Sequence, residues 1–292
     1  MKQKAILYAI LAAVFYAINT PVSKLLLGTV PATYMASFLY LGAGVGVGIM
    51  YLFHYKKEDN SERLTRSDLP YTVGMIVLDI AAPIFMMLGI SLGTASNASL
   101  LGNFEIVATT LIALVFFREA VSAKLWAAIG LITASSVILS FEGEGSLRFS
   151  VGSLFVILAT VCWGLENNCT RKISEKSTYE IVTLKGIFSG LGALVIAFFT
   201  GDAFPPVLPV LGAMALGFVA YGLSIFTYIR AQRDLGAAKT SAFYAIAPFI
   251  GVLLAFLLVG EKPGVIYFVA LAIMIAGTAL VVWDTLRKEQ NQ

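Results

Sequence analysis

The chain has 292 residues, of which 59% are hydrophobic and 13% charged, with a net charge of +3 and a mean hydropathy of +0.87. Soluble domains carry about 25% charged residues, so this composition excludes a water-soluble fold. The gaps between apolar runs are short and leave no extramembrane domain for soluble enzyme chemistry and no exposed basic domain for nucleic acid.

A membrane-crossing helix needs about 20 mostly apolar residues, and the apolar runs predict ten of them in chain order. The first five cover 5–26, 32–53, 69–91, 95–117 and 121–140. The second five cover 149–171, 178–199, 207–229, 238–259 and 263–285. Lys2 and Lys4 precede the first run as they would in a signal peptide. That run, however, passes Tyr16 and Asn19 to Leu27 without a small-residue cleavage pattern, so we read it as a span. Cys162 and Cys169 lie on one predicted helix about 10 Å apart along its axis, which predicts neither a disulfide nor a metal site.

Lys and Arg accumulate on the cytoplasmic side of membrane proteins. With the N-terminus inside, the inner loops and span ends hold 16 of the 20 basic residues, and the outer ones hold Lys24, Arg148 and Lys262. That asymmetry predicts a multi-pass protein of the cell (inner) membrane with both termini cytoplasmic.

The two halves resemble each other. Slid back by 147 positions, ATVCWGLENNCTRKIS from Ala159 lies over AAVFYAINTPVSKLLL from Ala12. A second match joins LGTASNAS from Leu92 to LGAAKTSA from Leu235, with Glu119 and Glu261 closing the two spans. Five helices per half is an odd number, so the second copy is expected upside down in the bilayer. The predicted class is an all-α membrane protein, ten helices arranged as two inverted five-helix repeats over residues 1–142 and 149–292. Such repeats place a substrate site near the midplane, between the halves.

This pattern resembles the ten-helix branch of the drug/metabolite transporter superfamily, whose five-helix unit is called the EamA domain. Trp163 and Gly164, with FFREAVSAKLWAAIGLITASSVIL and LVGEKPGVIYFVALAIMIAGTALVV closing the halves, carry the resemblance over nearly the whole chain. It implies a transporter that is not an enzyme and needs no cofactor. One departure stands out: Glu105 occupies a fourth-span position that often carries proline in the family, while its ninth-span counterpart keeps Pro248.

Ionisable residues deep in a span cost about 2.5–3.5 kcal/mol each on insertion scales, and they line cavities or pair with something. Four stand out: Asp79, Glu105, Glu166 and Lys185. Glu105 falls mid-span among Ala98, Leu101, Gly102, Ala108 and Thr109, mostly small neighbours that leave room beside a carboxylate. Asp79 precedes Pro83, which frees a backbone carbonyl one turn back. Trp163, Glu166, Asn167 and Thr170 share one helical face by their spacing, and the repeat puts Tyr16, Asn19, Thr20 and Ser23 opposite. Tyr244 is placed to line the same cavity and to cradle a cation. For Lys185, snorkelling or a salt bridge to Glu166 explains the residue better than substrate contact. Glycines 42, 44, 46 and 48, with Gly186 and Gly190, provide faces for close helix packing.

Asp79, Glu105, Glu166, Asn167, Asn19, Tyr16, Trp163 and Tyr244 are thus the predicted substrate-binding residues, with Glu105 coupling a proton to transport. Three acids against one lysine favour a cationic or zwitterionic small molecule, exported by alternating access. An uptake permease for amino acids or other metabolites is the alternative. A channel fits an inverted repeat less well, and the nucleophile or metal constellation of an intramembrane enzyme is missing.

Overall fold

The computed structural model describes residues 2–55, 62–117, 121–142, 148–235, 240 and 243–290. Among the described residues it is an all-helical bundle apart from one short hairpin. Eight of the described helices are long and apolar enough to cross a membrane, and two shorter apolar ones, Ala123–Leu139 and Ala247–Val259, accompany them.

In chain order the helices are α1 (Lys2–Ala17), α2 (Asn19–Leu26), α3 (Ala32–His54), α4 (Leu69–Leu92), α5 (Ala95–Leu101), α6 (Phe104–Phe117) and α7 (Ala123–Leu139). After a two-residue-per-strand hairpin, Phe141–Glu142 against Arg148–Phe149, come α8 (Val151–Ile173), α9 (Thr178–Phe199), α10 (Val207–Gly217), α11 (Ser224–Leu235), α12 (Ala247–Leu254) and α13 (Val265–Gln290). The predicted ninth span begins among residues 236–239 and 241–242, which lie outside the described residues, as does Glu119.

Three runs are broken near their middles, and each break has a local cause. Pro21 has no N–H to donate to Ala17, and the helix is interrupted at Ile18 between α1 and α2. At Gly102–Asn103 the bonds shorten to three-residue spacing: Asn103 donates to Leu100, Glu105 to Gly102 and Ile106 to Asn103. The third break, at Ala245–Ile246, precedes Pro248. The second and third breaks stand 143 residues apart, the same offset that aligns Leu92 with Leu235.

Glycine lets the helices touch by their backbones. At the crossing of α3 and α9, a Cβ on Gly44 would overlap the backbone of Gly186 and Ile187, and one on Gly186 would overlap Gly44. Ser37 Oγ donates to the Gly190 carbonyl at 2.8 Å, which ties the same pair of helices. Across α4 and α8, a Cβ on Gly152 would lie 3.0 Å from the Gly89 oxygen. Chain order thus alternates across the bundle, with first-half helices packed on second-half helices. A π-helical turn over Phe218–Leu223 widens the helix between α10 and α11, and such bulges often mark functional positions.

At one end of the bundle the halves are latched. Glu261 accepts from the Ala95 N–H at 2.6 Å and the Ser96 N–H at 2.8 Å, satisfying donors that the first turn of α5 leaves open. Tyr267 Oη also donates across the halves to Ser96 O at 3.0 Å, while within the first half Lys24 Nζ donates to the Ile90 and Gly93 carbonyls at 2.8 and 2.6 Å. Every residue of α5 is buried, whereas most of α6, beyond the break, is only half-buried.

Candidate functional site

The site forms where the broken helices meet. Because the helix restarts at Phe104, Glu105 stands in the first turn of α6, where the dipole favours a carboxylate. Asn167 of α8 reaches it, Nδ2 donating to Glu105 Oε1 at 2.6 Å, with Thr109 Oγ1 3.5 Å from the same amide. Close approach of the two helices depends on Gly164, whose Cβ would sit 2.8 Å from that of Ala108.

Aromatic rings cluster beside this pair. Tyr16 is the hub, with ring centroids 6.4 Å from Trp163, 6.0 Å from Tyr221 and 5.8 Å from Tyr244. Tyr228 lies edge-on to Tyr244 at 5.1 Å, and Tyr40 packs on Tyr221 at 5.0 Å. Asn19 holds Tyr221 in place, its Nδ2 donating to the phenol oxygen at 3.1 Å while Ser23 Oγ donates to Asn19 Oδ1 at 3.1 Å. Glu105, Asn167, Tyr16 and Tyr244 are half-buried, and Trp163 and Asn19 are buried behind them.

The remaining two acids occupy a separate buried compartment. Lys185 Nζ of α9 lies 2.9 Å from Asp79 Oδ2 of α4 and 3.0 Å from Glu166 Oε1 of α8. Tyr40 Oη donates to Asp79 Oδ1 at 2.8 Å, and Thr170 Oγ1 donates to Glu166. The lysine is 7% exposed, so it does not snorkel to the surface; the ion-pair reading holds, with Asp79 as a second partner. Pro83 is buried one turn along α4 from Asp79.

Of the predicted site residues, Glu105 pairs with Asn167, and Tyr16 gathers Trp163 and Tyr244, with Asn19 bonded to the adjoining Tyr221. Asp79 and Glu166 meet instead at Lys185. Sequence reading did not single out Tyr40, Tyr221 and Tyr228, because tyrosines are scattered through the spans; the glycines flanking Tyr221 were the available signal. Among the described residues no group of three or more His, Cys, Asp or Glu could hold a metal ion, and both cysteines are free.

Residues 3–141 and 150–283 each match the EamA-like transporter family. The chain belongs to that family. It is therefore a multi-pass membrane transporter and not an enzyme. Among relatives of this EamA-like transporter, a protein of Methanothermobacter thermautotrophicus described as an uncharacterized transporter is 24% identical over 94% of this chain and 85% of its own length. A probable terminal-alkyne amino-acid exporter of Streptantibioticus cattleyicolor is 25% identical over 68% of this chain and 67% of its own. A protein crystal structure with 19% identity superposes with a TM-score of 0.70, covering 97% of both chains, and supports the same fold.

Proposed function

We propose that this EamA-like transporter is a proton-coupled exporter of a small cationic or zwitterionic metabolite, with Glu105 as the acid that exchanges proton for passenger. The observation that carries this reading is the setting of Glu105. Its carboxylate makes no ion pair among the described residues, is held by the neutral amide of Asn167, is only half-buried, and neighbours the Tyr16–Tyr244 cluster. Aromatic faces attract cations by about 0.5–2 kcal/mol each, and a lone carboxylate completes a receptor for an ammonium group. A proton and an ammonium group compete for that carboxylate, which is the minimal requirement for exchange. The amino-acid exporter among the relatives is consistent with both the zwitterion and the direction.

The architecture we propose for the cycle is a ten-helix inverted repeat, residues 1–142 and 149–292, with both termini cytoplasmic. Three observations support it: the family match recurs in each half, the breaks at residues 102–103 and 245–246 fall at repeat-equivalent positions, and Gly44 meets Gly186 at the α3–α9 crossing. Inverted repeats rock about a central site to give alternating access. The test is counterflow in proteoliposomes. An outward-directed gradient of a cationic substrate should drive proton entry, measured with an internal pH dye, and proton-independent substrate flux would remove the coupling.

A further inference from the structure

The strongest unexplained feature is Lys185. Insertion of a lysine in mid-bundle is costly, and the Glu105–Asn167 pair does not use it. Each of its two acids has two donors: Asp79 from Lys185 and Tyr40, and Glu166 from Lys185 and Thr170. Glu105 has the single neutral donor Asn167. The two groups adjoin and are linked by a run of rings. Tyr40 bonds to Asp79 on one side and packs on Tyr221, which packs on Tyr16. Glu166 and Asn167 are neighbours on α8 and belong to one group each.

We infer that Lys185 is a specificity-determining residue: a resident ammonium that occupies Asp79 and Glu166, leaves Glu105 as the one of these three acids without an ion pair among the described residues, and so restricts the passenger to a single positive charge. The inference rests on the proposed role of Glu105. A diamine entering the wild-type site finds one carboxylate for two ammonium groups, and its second charge loses water without gaining a partner. Without Lys185, the freed acids beside Asn167 offer the second ammonium its counter-ion. Selectivity then reverses from monoamine to diamine.

The experiment measures binding of n-butylamine and 1,4-diaminobutane to the purified full-length protein by calorimetry. Wild type should bind butylamine at least as tightly as the diamine. Lys185→Met should bind the diamine at least tenfold more tightly than wild type does. Because a lone Met between two acids challenges folding, Lys185→Met with Asp79→Asn is the second variant, and it should show the same gain through Glu166. The triple variant that adds Glu166→Gln removes the acids and should return to the wild-type preference. A wild type that prefers the diamine tenfold, or folded Lys185 variants with no diamine gain, overturns the inference. Glu105→Gln distinguishes a failure at Lys185 from a failure at Glu105. If it abolishes butylamine binding while the Lys185 variants change nothing, only the role of Lys185 falls. If butylamine binding survives it, the reading of Glu105 falls and takes this inference with it.

Discussion

Asn167 Nδ2 lies 2.6 Å from Glu105 Oε1, which ties the first turn of α6 to the C-terminal half of α8 and so bridges the two halves of the chain. A hydrogen bond to a charged group contributes about 1.5–3 kcal/mol, and this one orients the carboxylate proposed to meet the passenger. Asn167→Ala should weaken binding of a cationic substrate about tenfold or more, with little loss of fold because Asn167 is half-buried. Calorimetry on the purified variant checks this; unchanged affinity would place the passenger elsewhere.

The tyrosine cage has its own signature. Tyr244 packs against Tyr16 and Tyr228, so Tyr244→Leu keeps apolar bulk but removes one aromatic face. The expected loss is about 0.5–2 kcal/mol of cation affinity, seen as a several-fold rise in Kd for a quaternary amine. A neutral isostere of the same shape should be affected less, and competition binding with the two ligands reads the difference.

The latch at the Glu261 end predicts a change in accessibility. Ser96 is 1% exposed, and its N–H donates to Glu261 while its carbonyl accepts from Tyr267. A Ser96→Cys reporter should react slowly with a membrane-impermeant maleimide in the otherwise unaltered protein. Adding Glu261→Ala leaves the first N–H groups of α5 without their acceptor and should speed labelling severalfold. Equal rates would mean that the carboxylate does not hold that end closed.

Packing of α3 on α9 is tested by one glycine and its control. A side chain at Gly44 would run into the backbone of Gly186 and Ile187, whereas a Cβ on Gly130 meets nothing within 4 Å. Overpacking costs about 1–3 kcal/mol, so Gly44→Val should lower the thermal midpoint in detergent while Gly130→Val leaves it nearly unchanged. Similar midpoints would contradict the direct backbone contact.

Much of this organisation was legible in the amino-acid order, because hydropathy reports burial in lipid directly. The predicted run 178–199 coincides with Thr178–Phe199, and 32–53 falls one residue short of Ala32–His54. The glycine faces were also readable, since a missing side chain is visible in any register. Pairings between distant spans were not. Nothing near Asp79 announces that its counter-ion is Lys185, 106 positions away, and the alternative of snorkelling had equal local support. Nor did Gly102 and Asn103 announce that the fourth run breaks there, which is what places Glu105 in the first turn of a half-helix. A break depends on hydrogen-bond partners that the local sequence does not name.

The central claim is that Glu105 carries the exchange of proton for passenger. The most direct measurement compares wild type and Glu105→Gln in proteoliposomes, following substrate flux under an imposed pH gradient and substrate binding as a function of pH. Glutamine keeps the shape and can still meet Asn167 through its amide oxygen, so the variant should fold. In this variant proton-driven flux should be lost, and binding of the cation should become weak and independent of pH. Full proton-coupled flux in Glu105→Gln would contradict it, and would move the search for the coupling acid to the Asp79–Lys185–Glu166 cluster.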